Sequence, residues 1–191
     1  MQSGAKWGTF PIELKHRTGV MRFLPLHHLG PFFSFFDRDG RKGTRQLAFR
    51  GQYKHSLDGK GRLTVPAKFR KELADRAVVV KGPDNCLWLM PEKAFSSLSD
   101  QYISPHSPLS GNARAIRRLF NSTADEGELD SAGRVKIPKN LIEKASLDGP
   151  CTVVGAGEYL EIWNTDEWTK IEAELDASFA EIAEGMSGAA E

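Results

Sequence analysis

A nine-residue pattern occurs twice in this chain: Asp58-Gly59-Lys60-Gly61-Arg62-Leu63-Thr64-Val65-Pro66 returns as Asp130-Ser131-Ala132-Gly133-Arg134-Val135-Lys136-Ile137-Pro138, 72 residues later. Both copies read Asp-x-x-Gly-Arg-φ-x-φ-Pro, with φ aliphatic. The Asp-led, glycine-bearing tetrapeptide is a turn. The alternation after it predicts a short strand, with the arginine on one face and the aliphatics on the other. Proline then closes the strand. Each half of such a duplication is too small to build a secure core alone, so the halves are expected to pack on one another about a pseudo-twofold axis.

The duplication extends beyond the nine residues. The first unit reads as strand 49–57, turn 58–61, strand 62–65, a short helix 67–75, a hairpin of strands 77–81 and 86–90 joined by 82–85, and a helix 92–98. The second follows the same order: an entering segment 127–129, turn 130–133, strand 134–137, helix 139–145, strand 151–154, a turn at Gly155-Ala156-Gly157, a returning strand 159–163 and a terminal helix 166–184. A shift of 73 residues aligns the later part, pairing Cys86 with Tyr159, Leu89 with Ile162 and Phe95 with Trp168. The predicted fold class is α+β and sheet-rich, with short peripheral helices. The expected organisation is a disordered extension over 1–48, a first repeat over 49–98, and a linker with a short basic helix over 99–126. A second repeat with its C-terminal helix follows over 127–184, then a flexible tail over 185–191.

The net charge of +1 hides an asymmetry. Residues 1–50 hold nine Lys/Arg against three Asp/Glu, whereas 51–191 hold seventeen against twenty-two, a net of −5. A duplicated body of this charge can bind nucleic acid only through local patches, repeated many times. Cys86 and Cys151 form neither a disulfide framework nor a metal motif, and read as buried small hydrophobes. The apolar stretch from Leu24 to Phe36 is broken by Pro25, His27, His28 and Pro31, which argues against a secretory signal. No apolar run is long enough to span a membrane.

The motif residues point to binding rather than catalysis. Arg62 and Arg134 recur at equivalent positions, suited to contact phosphate or a guanine edge; an ordinary solvated or internally paired arginine is the plainer reading. Lys60, Lys68 and Arg70 enlarge the first basic patch, and Lys136 and Lys139 the second. Ala132 stands where the first copy has Lys60, so the first patch is expected to be the fuller. Asp58 and Asp130 either cap their turns or orient the arginines through ion pairs. A turn aspartate beside arginine keeps a low pKa and makes a poor catalytic acid. His55 either donates to a phosphate or stays neutral and exposed. No nucleophile–base pair, phosphate loop, dinucleotide fingerprint or metal-spaced cluster can be assembled, so neither an enzyme nor a cofactor is expected. The terminal helix carries Trp168, Ile171, Leu175 and Phe179 at spacings of three and four. With its other faces acidic, it is expected to cover the body or pack on a neighbouring subunit rather than touch DNA.

These residues also carry a family resemblance. Phe49, Gly51, Tyr53, His55-Ser56-Leu57-Asp58, Lys60-Gly61-Arg62-Leu63, Val65-Pro66-Ala67 and Phe69-Arg70, with the second motif and Glu161-Ile162-Trp163, resemble the MraZ family from 49 to about 180. The resemblance implies duplicated AbrB-like swapped-hairpin, β-barrel-like units. It implies a DNA-binding transcriptional regulator, usually a repressor, of the bacterial division and cell-wall gene cluster that includes its own gene. It implies a cytoplasmic, nucleoid-associated homo-oligomer, a ring, bound to double-stranded promoter DNA bearing short direct repeats. Asp58/Arg62 and Asp130/Arg134 would lie on the DNA-facing surface. The alternative is an oligomeric structural or protein-interaction module without specific DNA binding. Residues 1–48 have no counterpart in the family; a translated leader and a lineage-specific arm both remain open.

Overall fold

The computed structural model describes residues 35–36, 42–43 and 49–187. The expectations for the rest of 1–48 and for the end of the tail lie outside the described residues. Strands β1 (Phe35–Phe36) and β2 (Lys42–Gly43) pair antiparallel within the expected extension. The remaining strands are β3 (Phe49–Ser56), β4 (Arg62–Thr64), β5 (Ala77–Lys81), β6 (Leu87–Pro91), β7 (Asp125–Gly127), β8 (Arg134–Lys136), β9 (Pro150–Gly157) and β10 (Leu160–Asn164). The helices are α1 (Glu92–Leu98), α2 (Gly111–Thr123), α3 (Lys139–Lys144) and α4 (Thr165–Ser187).

The architecture is α+β, built on a six-stranded antiparallel sheet ordered β3-β9-β10-β6-β5-β7. That order reverses onto itself when the elements of one repeat are exchanged for those of the other. β9 and β10 form one hairpin, and β5 and β6 form its counterpart. Each hairpin receives an outer strand from the other repeat: β3 lies on β9, and β7 lies on β5. At the centre of the sheet Trp88 stands opposite Glu161, its equivalent under the 73-residue shift. A separate ribbon joins β4 to β8, with Leu63 opposite its equivalent Val135. These two self-paired points mark the expected pseudo-twofold axis.

Packing follows the same division. Leu63, Val65, Phe69, Leu73, Val79, Leu87 and Leu89 from the first repeat share one buried cluster with Val135, Ile137, Leu141, Val153, Leu160 and Ile162 from the second. A smaller cluster of Val80, Met90, Leu98, Ile103 and Phe120 seats α1 and α2 at the side. Phe95 stacks on Phe120, with ring centroids 4.8 Å apart.

Three predicted elements differ. Residues 67–75 form no α-helix; a single 3-10 turn at Ala67–Phe69 passes into bonded turns from Phe69 O to Glu72 N and from Lys71 O to Ala74 N. So short a segment cannot repay helix nucleation, and packing of Phe69 and Leu73 decides its path. Gly155-Ala156-Gly157 is strand rather than turn, because β3 pairs along it, with Gly51 opposite Gly155 and Phe49 opposite Gly157. A Cβ on Gly155 would lie 2.4 Å from Arg50 N, so glycine there permits close backbone approach. Finally, α4 continues to Ser187, past the expected end at 184.

Candidate nucleic-acid interface

The turn motifs build one structure twice. In the first copy Asp58 Oδ1 accepts from the amides of Lys60 at 2.9 Å and Arg62 at 3.0 Å. Asp58 Oδ2 accepts from Arg62 Nε at 2.7 Å, and Nη2 also lies 2.7 Å away. In the second, Asp130 Oδ1 accepts from the amides of Ala132 and Arg134, both at 3.0 Å, and Oδ2 from Arg134 Nε at 2.8 Å. Gly61 and Gly133 have φ of +72° and +74°, the left-handed conformation that lets each amide donate back to the aspartate carbonyl. Each aspartate therefore does both things expected of it as alternatives: it caps the turn and orients the arginine.

The repeats then interlock. The Val65 amide donates to Gly133 O, and the Ile137 amide to Gly61 O, each at 2.9 Å. Arg62 Nη1 lies 3.7 Å from Asp130 Oδ2, and Arg134 Nη1 lies 3.6 Å from Asp58 Oδ2. Two carboxylates and two guanidiniums close a quartet across the pseudo-twofold. Hydrogen bonding from Arg62 holds the Asp58 carboxyl down to about 2, and hydrogen bonding from Arg134 lowers Asp130. The same pairing raises Arg134. The quartet is fully charged at neutral pH and nearly neutral in sum.

Cross-strand pairing puts Arg62 opposite Lys136 and Thr64 opposite Arg134. Opposed residues share a face, so one side of the ribbon carries all four, while Leu63 and Val135 are buried on the other. The side chains of Arg62 and Arg134 are 28% and 31% exposed. Beside the ribbon an open cleft of about 730 Å³ is lined by Lys60, Lys136 and Lys139, with Gly59 and Gly61 of the first turn and Asp125 and Asp148 at its margin. Lys139 is 91% exposed and pairs with Glu143 at 3.7 Å.

Lys68 and Arg70 do not join this cationic set. Lys68 Nζ donates to Arg50 O at 2.8 Å and sits 4.7 Å from the Tyr53 ring centroid and 4.6 Å from that of Phe69. Arg70 Nε donates to Val65 O at 2.9 Å, and its side chain packs over Gly133. The expected imbalance between patches thereby reverses. Once internal donors are discounted, the first repeat contributes Lys60, while the second contributes Lys136 and Lys139. Sequence reasoning also missed the quartet, although the invariant spacing of Asp and Arg in both copies was its available signal. Burial lowers the pKa of His55, leaving its imidazole uncharged at neutral pH. Among the described residues, no group of three or more His, Cys, Asp or Glu is placed to hold a metal, and no helix is long and apolar enough to cross a membrane.

Comparison with known proteins places this geometry among relatives. The family model described as "MraZ protein, putative antitoxin-like" matches residues 48–119 and again 120–189. The chain is similar to a protein of Desulforamulus reducens named Transcriptional regulator MraZ, 42% identical over 138 residues, which cover 72% of this chain and 96% of that one. A protein of the same name from Alkaliphilus metalliredigens is 42% identical over 139 residues, with the same coverage of 72% and 96%.

Proposed function

Since this chain belongs to the MraZ family, we propose that it is a DNA-binding transcriptional regulator whose β4–β8 ribbon, with its two turns, meets double-stranded DNA. The observation that carries this reading is the single ribbon face bearing Arg62, Lys136, Thr64 and Arg134. A two-stranded ribbon fits the major groove, roughly 12 Å wide. Lys60, Lys136 and Lys139 contact phosphates. Arg62 and Arg134, held in plane by Asp58 and Asp130, offer their outer edges to bases at little further entropic cost. Lys68 and Arg70 buttress the turns from within.

The exchange of outer strands between the two hairpins supports an AbrB-like swapped-hairpin unit. A body with a net charge of −5 over 51–191 gains little from long-range attraction. Binding strength therefore comes from repetition around a homo-oligomeric ring that engages short direct repeats in promoter DNA. The regulator acts in the cytoplasm at the nucleoid. It represses the division and cell-wall gene cluster, including its own gene, by blocking promoter access.

The test is a mobility-shift series with DNA from upstream of its own gene and a shuffled control, at rising salt. Preferential binding that weakens steeply with salt is expected; equal binding to both DNAs overturns the reading. The near-neutral quartet also suits a module in which the arginines only staple the repeats together. That reading predicts an intact oligomer with no DNA affinity.

A further inference from the structure

α4 begins on the body and then leaves it. Asn164 Oδ1 accepts from the amides of Asp166 at 2.9 Å and Glu167 at 3.4 Å, capping the helix. Thr165 Oγ1 meets Thr152 Oγ1 at 3.1 Å, and the Trp168 ring lies 5.8 Å from that of Trp163. Beyond this anchor the apolar stripe continues without cover: Leu175 is 37% exposed, Phe179 73% and Ile182 40%. At 100° per residue, Leu175, Phe179 and Ile182 share one side of the helix, with Glu172 and Asp176 along one flank.

α2 presents a surface of matching shape and opposite sign. Ala113, Phe120 and Thr123 face inward. On the outer side Ile116 is 46% and Leu119 61% exposed. Arg114 and Arg118, one turn apart, run beside the Leu119 ridge. One helix thus offers apolar residues beside paired carboxylates, and the other offers apolar residues beside paired guanidiniums.

We propose that α4 of one copy docks along α2 of a second copy, a contact that rests on the oligomeric reading above. Leu175, Phe179 and Ile182 cover Ile116 and Leu119, while Glu172 and Asp176 face Arg114 and Arg118. Two α4 helices packed on each other would oppose like charges, as would two α2 helices. The two patches differ, so the contact is head-to-tail: every copy gives one α4 and receives another. Repetition of such a contact closes a ring when the rotation allows.

The experiment uses the full chain with Leu119→Asp and Phe179→Asp, both at exposed positions, and reads mass by sedimentation. Each variant alone should fall to a single copy with its circular dichroism unchanged. An equimolar mixture should recover a pair, because the first variant keeps an intact α4 and the second an intact α2. Arg118→Glu should also lower the mass, and Glu172→Lys in the same chain should restore it. Wild-type mass for Leu119→Asp, or a mixture that stays single, overturns the docking while leaving the oligomer in place. A wild-type chain that sediments as a single copy overturns the oligomeric reading and the docking together.

Discussion

Arg62 Nη1 lies 3.7 Å from Asp130 Oδ2, so the guanidinium of one repeat is shared with the carboxylate of the other. The turn motifs are therefore one structure, not two independent loops.

The quartet makes stability depend on acid. Asp58 titrates at about 2 in the folded chain, below its ordinary value of 3.8, and Asp130 is likewise lowered. A depressed carboxylate stabilises the fold above its unfolded pKa and loses that contribution as pH falls through the folded value. The thermal midpoint should fall between about pH 4 and pH 2. In the Asp58→Asn/Asp130→Asn variant the midpoint should be lower at neutral pH, and this acid decline should flatten. A variant with the wild-type acid profile would contradict the quartet.

The ribbon core ties the repeats together. Leu63 is fully buried opposite Val135. Leu63→Ala should cost roughly 2–5 kcal/mol in urea unfolding, the usual range for a truncated buried leucine. Unfolding should remain a single transition, because both repeats share the cluster that leucine serves. Two separated transitions would mean that the repeats are independent.

Gly155→Ala should release β3 from the sheet. The new Cβ would meet Arg50 N at 2.4 Å and Phe49 C at 2.6 Å, both backbone atoms that cannot swing aside. A loss of about 1–3 kcal/mol or more is expected. Hydrogen exchange should show β3 amides losing protection before those of β5 and β6. Uniform loss across the sheet would argue against a local clash.

Local order was largely legible in the sequence, and partnership was not. The turns, the alternation of Leu63 and Val135 against Arg62 and Arg134, and the two hairpins follow from composition and period. Nothing in the period of residues 49–56 says that β3 belongs on β9 of the other repeat. That choice is tertiary, and it turned the predicted glycine turn at 155–157 into strand. The same blindness affected the cations. Lys68 and Arg70 look exposed by spacing, yet nearby carbonyls at Arg50 and Val65 capture them. A sequence shows which side chains carry donors, while only the fold shows where those donors go.

The thiols should be silent in the native chain. Burial pushes Cys151 up to about 11 and raises Cys86 as well, leaving both protonated and covered at pH 8. A thiol reagent should label neither until denaturant is added. Rapid labelling of the folded protein would contradict the packing around them.

The most direct test of the DNA-facing ribbon is the salt dependence of binding by the Lys60→Ala/Lys136→Ala/Lys139→Ala chain. Each lost phosphate contact should flatten the slope of log affinity against log salt by about 0.9. The account predicts weaker binding and a shallower slope for every sequence tested, with oligomer mass and thermal midpoint unchanged. Wild-type affinity and slope in that variant would contradict it.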